Sequence, residues 1–157
     1  ASDVYKRQLW CGVGTGAEDI LLPEKYDYDE QQLINNIINN RKKGKTHHLI
    51  INAEGIGHST SMAKRIEAAT GVETRATILG YMQRGGSPCP YDRVLSTRLG
   101  SEAAQLILDK QYGYMVGMVN GKVKKIPLGE CAGKLKTVDP NAQEVLQAKR
   151  MGISFGD

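Results

Sequence analysis

Cysteine is scarce in this sequence, and the few cysteines are far apart. Cys11, Cys89 and Cys131 are the only ones, and no two form a C-x-x-C pair. This spacing argues against a zinc site and gives no disulfide framework. Apolar runs are also short, well below the ~20 residues that span a bilayer, and no signal-peptide pattern is present. We therefore expect a reduced, cytoplasmic protein with no membrane partner.

Charge of one sign is not in large excess. The chain of 157 residues has 21 Lys and Arg against 17 Asp and Glu, a formal net charge of +4. So mild a balance gives no reason to expect a nucleic-acid partner, whereas it suits a small anionic ligand. With 40% hydrophobic and 24% charged residues, the composition is that of a globular domain. The length fits one domain, or one domain with part of another.

Short apolar runs alternate with helical patterns along the first two thirds of the chain. The runs predict three strands, over Asp19–Pro23, His48–Asn52 and Glu73–Gly80. Apolar residues at helical spacing predict helices over Asp29–Lys43, Ser59–Thr70 and Tyr91–Asp109. Either Asp27 or Asp29 can cap the first helix. This alternation predicts an α/β fold with a parallel sheet flanked by helices.

A hairpin is predicted after the third helix. Tyr114–Val119 and Lys122–Pro127 are joined by Asn-Gly, the dipeptide that favours a two-residue type I′ turn. A linker over Gly129–Thr137 then leads to a last helix, which begins at Asp139 or Pro140 and ends near residue 151.

The N-terminal end gives little information about the fold. Residues 1–8 show no periodicity, and we interpret them as a boundary segment foreign to the domain. Leu9–Gly16 is predicted to be the end of a helix that runs into a glycine-rich turn.

The stretch from residue 73 to residue 93 is rich in groups that suit a phosphate. Arg84, Gly85 and Gly86 follow the third predicted strand. Arginine can bind a phosphate through two parallel hydrogen bonds, and glycines allow the backbone to approach a ligand closely. The alternative is a structural turn. Arg75 lies within the predicted strand, so it must be paired, reach the surface, or face a ligand or a subunit interface.

Two other sets of polar residues follow strands or helices at positions open to ligands. Glu54 comes after the second predicted strand, where it can accept hydrogen bonds from sugar hydroxyls or cap the next helix. The basic segment 41–48 contains Lys43, Lys45 and His47. These side chains either converge on a phosphate or form a solvated helix end.

The segment ETRATILGYMQRGGSPCPYDRVLSTRLG, residues 73–100, resembles the signature of the 6-phosphofructokinases without a gap. The resemblance continues upstream through INAEG (51–55), KGK (43–45) and TGAE (15–18), and downstream through the hairpin. The chain is similar to the carboxyl-terminal half of the bacterial ATP-dependent type. The resemblance implies a smaller substrate- and effector-binding domain over 9–84, a helix and β-hairpin of the larger ATP-binding domain over 85–138, and a C-terminal helix over 139–157.

The same resemblance implies four residues of a fructose 6-phosphate site. Glu54 would hydrogen-bond the sugar, and Arg84 would bind its 6-phosphate. Arg75 would reach the substrate phosphate of a neighbouring subunit across an interface. Tyr81 stands where the bacterial pattern often has histidine; a phenol can donate a hydrogen bond to the phosphate but carries no positive charge.

An allosteric nucleotide site is implied as well. Its residues would be Gly16, Glu18, Lys43, Lys45, Thr46 and His47. Glu18 would lie near the effector's magnesium, and the effectors would be ADP or phosphoenolpyruvate. At full length the enzyme would be a cytoplasmic homotetramer that uses Mg²⁺ with ATP.

The family reaction belongs to glycolysis and transfers the γ-phosphoryl group of ATP to the 1-hydroxyl of fructose 6-phosphate, which requires a base, magnesium and a phosphate clamp. The family's Thr-Ile-Asp-Asn-Asp motif, which carries its catalytic aspartate, does not occur in this sequence. We therefore expect no catalytic residue here and no activity from this chain alone. A pyrophosphate-dependent phosphofructokinase and a non-catalytic module that binds phosphorylated ligands are the alternatives. The third helix is expected to expose an apolar face.

Overall fold

A computed structural model describes residues 4–24, 28–134 and 137–157. Asp27, one of the two predicted caps, lies outside these residues. The described chain divides into two compact units. The first contains the residues up to Ile78 together with the C-terminal segment from residue 137, and the second runs from Leu79 to residue 134. The functional assignment of the regions 9–84, 85–138 and 139–157 stays a prediction.

Six α-helices and four strands occur among the described residues. In chain order they are α1 (Val4–Thr15), β1 (Asp19–Leu21), α2 (Glu30–Lys42), β2 (Ile50–Asn52), α3 (Ser59–Thr70), α4 (Pro90–Leu108), β3 (Tyr114–Val119), β4 (Lys122–Pro127), α5 (Leu128–Cys131) and α6 (Gln143–Arg150). A 3-10 helix over Gly80–Arg84 precedes α4. Asp29 caps α2, since its carboxylate accepts a 2.8 Å hydrogen bond from the amide of Gln31. None of the described helices is both long and apolar enough to cross a membrane.

A parallel sheet lies at the centre of the first unit. β1 and β2 pair in parallel, with Asp19 opposite Ile50. On the other side of β1, the C-terminal segment adds a parallel bridge between Asp19 and Ser154. The amide of Ile20 donates to the carbonyl of Ser154 at 2.9 Å, and the amide of Ser154 donates to the carbonyl of Glu18 at 2.9 Å. The last residues of the chain therefore contribute to the sheet.

Successive residues of β1 point into two different core clusters, as alternation along a strand requires. Ile20 belongs to a cluster formed with α1, α6 and the C-terminal segment, which includes Leu9, Val145 and Phe155. Leu21 belongs to the cluster on the opposite face, whose members on α2 and α3 are Leu33, Ile34, Ile37, Met62 and Ile66. The apolar stripes predicted for α2 and α3 are thus the faces that cover the sheet.

In the second unit, α4 packs beside the predicted hairpin. β3 and β4 are antiparallel, and the turn residues Asn120 and Gly121 have φ of 49° and 75°. Positive φ at both positions is the type I′ geometry. At the start of α4, the amide of Cys89 donates to Asp92 at 2.9 Å. The helix buries Leu106 and leaves apolar side chains exposed, among them Tyr91, Val94, Ile107 and Leu108.

The strand predicted over Glu73–Gly80 is wrong. Residues 71–79 have no regular secondary structure and pair with no strand among the described residues. Ile78 and Leu79, whose apolar side chains suggested a buried strand, are exposed. A strand needs a neighbour for its backbone hydrogen bonds, and an apolar pattern does not reveal whether that neighbour is present.

Both ends of the first unit also differ from the prediction. The segment 1–8 was given no part in the fold, yet α1 begins at Val4 and Gln8 is buried. The last helix begins at Gln143 rather than at Asp139 or Pro140. Asp139 instead closes a turn, because its carbonyl accepts the amide of Ala142 at 2.9 Å. The predicted linker contains the short helix α5, and part of it lies outside the described residues.

Candidate functional site

Glu54 lies on the loop that joins β2 to α3, at the carboxyl end of a parallel strand. Its side chain is exposed and makes no hydrogen bond or ion pair within the part of the chain that the structure describes. One of the two sequence interpretations, that Glu54 caps α3, is wrong, because the N-cap position is occupied by His58. The carboxylate is therefore available to a ligand at an edge of the sheet that commonly binds ligands.

The loop around Glu54 is closely packed at its base. A Cβ atom on Gly55 would lie 2.9 Å from Cβ of Pro23, so no larger residue fits there without movement. The amide of Ala53 donates to the carbonyl of Leu21 at 3.2 Å, which ties the start of the loop to β1. The side-chain amide of Asn52 reaches across the loop and donates to the carbonyl of Gly57 at 3.2 Å. The backbone that carries Glu54 is thus held at both ends.

Arg75 is a surface residue rather than a buried strand residue. Its guanidinium forms an ion pair with the neighbouring Glu73, with Nη2 at 2.6 Å and Nε at 2.8 Å from Glu73 Oε1. The Arg75 side chain is 84% exposed. The sequence left open whether Arg75 is paired, reaches the surface, or faces a ligand or a subunit interface. In the structure it is paired and lies at the surface. An exposed pair such as this one contributes little to stability and can be exchanged for a stronger partner.

Tyr81 and Arg84 belong to the second unit, where both lie on the 3-10 helix Gly80–Arg84. Both side chains are exposed, and neither forms a hydrogen bond or an ion pair among the described residues. Gly86 follows with φ of 101°, a conformation that a residue with a Cβ rarely adopts. The turn predicted from the two glycines is therefore present, and it leaves the Arg84 guanidinium unpaired.

Of the six residues implied for an effector site, the fold brings the side chains of Glu18 and Lys45 into contact. Glu18 lies between α1 and β1 and is buried, whereas Lys45 lies on the loop between α2 and β2. Lys45 Nζ is 2.5 Å from Glu18 Oε1, and the amide of Leu49 donates to Glu18 Oε2 at 2.6 Å. Burial alone would raise the pKa of the Glu18 carboxyl, but these two bonds together with the charges of Lys45 and His48 outweigh it, and the pKa lies below its ordinary value.

The other implied effector residues surround this pair in sequence. Gly16 ends α1 with φ of 70°. Lys43 is the C-cap residue of α2, and its amide donates to the carbonyl of Asn39 at 3.1 Å. The side chains of Lys43, Thr46 and His47 are exposed and have no hydrogen-bond or ion-pair partner in residues 4–24, 28–134 and 137–157. The loop therefore presents cations to solvent, with Lys45 only half exposed.

The comparison with protein families decides what this arrangement belongs to. The family model described as Phosphofructokinase matches residues 8–107, which include Glu18, Glu54 and Arg84. The chain belongs to the phosphofructokinase family. The resemblance drawn from residues 73–100 is thereby confirmed.

Curated phosphofructokinases extend the match over most of the chain. The ATP-dependent 6-phosphofructokinase 3 of Bacteroides thetaiotaomicron is 45% identical over 154 residues, which cover 94% of this chain and 46% of the relative. The ATP-dependent 6-phosphofructokinase of Bacillus velezensis is 44% identical over 137 residues, which cover 87% of this chain and 43% of the relative. The chain therefore spans a little under half the length of these relatives.

Solved phosphofructokinase structures confirm the predicted fold class. Pichia pastoris phosphofructokinase in the T-state matches with a TM-score of 0.64 at 30% identity, covering 78% of this chain and 14% of the solved chain. The phosphofructokinase from Saccharomyces cerevisiae matches with a TM-score of 0.62 at 30% identity, covering 78% of this chain and 18% of the solved chain. The α/β architecture with a parallel sheet, flanking helices and an antiparallel hairpin is that of phosphofructokinases.

Sequence reasoning missed one buried pair in this phosphofructokinase chain. His48 Nε2 lies 2.5 Å from Asp19 Oδ2, and both side chains are almost fully buried. The sequence places Asp19 in a predicted strand, and His48 both in a predicted strand and in the basic segment 41–48. No local pattern links positions that lie 29 residues apart. The pair fastens the start of β1 to the segment that precedes β2, next to Glu18 and Lys45.

The family resemblance implies a magnesium ion near one residue of this chain, Glu18. No group of three or more His, Cys, Asp or Glu within the described residues is placed to hold a metal ion. Both oxygens of the Glu18 carboxylate already accept hydrogen bonds, from Lys45 and from the amide of Leu49. Each oxygen has a second lone pair, so a metal carried by a nucleotide would share the Glu18 carboxylate with Lys45 or take the place of Lys45.

Proposed function

We propose that this chain is part of an ATP-dependent 6-phosphofructokinase and supplies part of its fructose 6-phosphate site and of its allosteric nucleotide site. The proposal rests above all on the relatives named ATP-dependent 6-phosphofructokinase, which are 38–45% identical over 87–95% of the chain. The exposed side chains of Glu54 and Arg84 support it, because each, within its own unit, can meet a ligand group without breaking a bond among the described residues.

In the proposed substrate site, each residue has a role that its chemistry permits. The Glu54 carboxylate accepts hydrogen bonds from sugar hydroxyls, and the Arg84 guanidinium donates two hydrogen bonds to the 6-phosphate. Tyr81 donates one further hydrogen bond to that phosphate without adding charge. Arg75 exchanges its exposed partner Glu73 for the substrate phosphate of a neighbouring subunit in a homotetramer.

The phosphoryl transfer itself requires groups beyond those of this chain. The reaction would need charge neutralisation at the phosphates, which Mg²⁺ bound with ATP would supply, and a base to accept the proton of the sugar 1-hydroxyl. The residues described here bind and orient the acceptor sugar, and none of them is placed in the role of the base. We therefore expect the isolated chain to be inactive and the full-length enzyme to work in glycolysis in the cytoplasm.

The proposed allosteric site uses the cationic loop between α2 and β2. Lys43, Lys45 and His47 are suited to bind the phosphates of ADP or the anionic groups of phosphoenolpyruvate. The backbone at Gly16 and the hydroxyl of Thr46 complete the site, and Glu18 is the residue that would hold the Mg²⁺ of a bound nucleotide if Lys45 turned to the phosphates. This exchange of partners is the chemical change that effector binding would cause.

The test uses the full-length enzyme and separates the alternatives by phosphoryl donor. Formation of fructose 1,6-bisphosphate is measured from fructose 6-phosphate with either Mg-ATP or Mg-pyrophosphate. Turnover with ATP supports the proposal, while turnover with pyrophosphate alone identifies a pyrophosphate-dependent enzyme. If fructose 6-phosphate binds but neither donor is used, the chain is part of a non-catalytic binding module and the proposed activity is wrong.

A further inference from the structure

We propose that Asn52 is a positioning residue that sets the place of the Glu54 carboxylate for the sugar substrate. The inference rests on the proposed function and adds to it a residue that does not itself touch the substrate. Asn52 is the last residue of β2, two positions before Glu54. Its side chain reaches the far end of the loop that carries Glu54.

The side-chain amide of Asn52 fastens the loop where α3 begins. Nδ2 donates to the carbonyl of Gly57 at 3.2 Å and to the hydroxyl Oγ of Ser59 at 2.8 Å. Gly57 and His58 lie in the left-handed region with φ of 79° and 46°. A non-glycine residue such as His58 occupies that region only at a cost, so contacts must hold it there. Two side chains supply such contacts: Asn52 bonds the flanking Gly57 and Ser59, and the hydroxyl of Ser61 donates to the carbonyl of His58 at 2.9 Å.

Glu54 has no side-chain bond within the described residues that would fix its own position. Its placement therefore depends on the backbone of residues 53–58. The sheet holds one end of this segment through the bond from the amide of Ala53 to the carbonyl of Leu21. Asn52 holds the other end. If the second tether is removed, Glu54 samples more positions, and a carboxylate that must meet specific hydroxyls then binds the sugar less tightly.

The bonding pattern requires donor hydrogens at position 52. Both bonds use Nδ2, while the buried Oδ1 atom has no partner among the described residues. Aspartate has nearly the same shape but offers no hydrogen to the carbonyl of Gly57. Asn52→Asp therefore removes the bond to Gly57 at nearly constant side-chain size, while the Ser59 hydroxyl can still donate to the carboxylate. Asn52→Ala removes both bonds.

The experiment measures steady-state kinetics of the full-length enzyme. In Asn52→Ala and Asn52→Asp we expect the KM for fructose 6-phosphate to rise about 5- to 30-fold, as the loss of one or two neutral hydrogen bonds allows. The kcat and the KM for ATP should stay within about twofold. The matched control is Asn39→Ala, which should change none of these values. Asn39 is an exposed asparagine on α2 whose side chain makes no hydrogen bond within the described part of the chain.

A double-mutant cycle separates positioning from general loss of structure. If Asn52 acts through Glu54, Asn52→Ala should have no further effect on this KM in a Glu54→Ala background. An equal effect of Asn52→Ala in both backgrounds would overturn the inference. Hydrogen exchange of the peptide covering residues 53–58, measured without ligand, should be faster in Asn52→Ala than in the wild type.

The outcomes also distinguish this inference from the proposed function. A wild-type enzyme that does not phosphorylate fructose 6-phosphate overturns both. An active wild type in which Asn52→Ala leaves the KM unchanged overturns the positioning role alone, whether or not the loop exchanges faster. An active wild type with the expected KM change and coupling to Glu54 supports both.

Discussion

Lys45 Nζ lies 2.5 Å from Glu18 Oε1, although 27 residues separate the two in sequence. The Glu18 side chain is only 6% exposed, whereas that of Lys45 is 48% exposed. A buried carboxylate thus holds a lysine whose ammonium group is still open to solvent. In the proposed allosteric site, an effector phosphate would compete with Glu18 for this ammonium group.

The Glu18–Lys45 pair predicts a pH dependence of stability. The pKa of Glu18 is lowered from its ordinary value of 4.5, so the stabilisation is present above that pH and is lost as the pH falls through the folded-state pKa. Burial alone raises this pKa, so Lys45→Met should remove much of this acid loss of stability. The variant should be less stable than the wild type near pH 7, and the difference should shrink as the pH falls. The free energy of unfolding of the full-length protein, measured between about pH 3 and pH 7, checks this.

Lys42→Met is the matched control for that experiment, because Lys42 is an exposed lysine at the end of α2. It removes one positive charge without touching Glu18. Parallel pH profiles for Lys45→Met, Lys42→Met and the wild type would show that the ion pair does not contribute.

Arg84→Ala should weaken binding of fructose 6-phosphate in the full-length enzyme. The loss of a charged hydrogen bond corresponds to about 1.5–3 kcal/mol, or a rise in KM of about 10- to 150-fold. Arg98→Ala, which removes an exposed arginine of α4, is the control. Unchanged saturation kinetics in Arg84→Ala would mean that Arg84 does not bind the substrate phosphate.

Lys43→Ala should reduce activation by the effector nucleotide while leaving substrate affinity in the activated state nearly unchanged. The reason is that the side chain of Lys43 has no hydrogen-bond or ion-pair partner among the described residues, so its truncation removes a ligand contact rather than a structural one. Activation is measured as the shift in half-saturation by fructose 6-phosphate with added ADP. Lys42→Ala, next to it on the same helix end, should retain full activation. If Lys43→Ala retains it as well, the loop is only a solvated helix end.

Truncation of the buried Leu33 on α2 should lower the stability of the protein, whatever its function. Leu33 is fully buried between α2, α3 and the sheet. Leu33→Ala should lower the free energy of unfolding by about 2–5 kcal/mol, because the cavity that it leaves cannot collapse completely. Leu146→Ala, at an exposed position of α6, should change it by less than about 0.5 kcal/mol. Denaturant titration of the full-length protein distinguishes the two.

Several features of the fold could be predicted from the sequence because they depend on neighbouring residues. The apolar stripes of α2 and α3 follow from helical spacing, and the turn at Asn120 and Gly121 follows from torsion preferences. The family could also be recognised, because residues 73–100 carry its motif without interruption. Glu54 and Arg84 were found in the same way, and their roles stay predictions.

Contacts between distant residues could be found only in the tertiary structure. The pairing of β1 with the segment around Ser154, the buried pair of Asp19 with His48, and the tether from Asn52 to Ser59 have no local pattern. The failure of the predicted strand over Glu73–Gly80 has the same cause, since a strand exists only where a neighbour accepts its hydrogen bonds. The sequence determined the helices α2, α3 and α4, the place where the hairpin turns and the family to which the chain belongs. Tertiary structure decided which strands pair and which charged groups are already bonded, because both depend on partners far away along the chain.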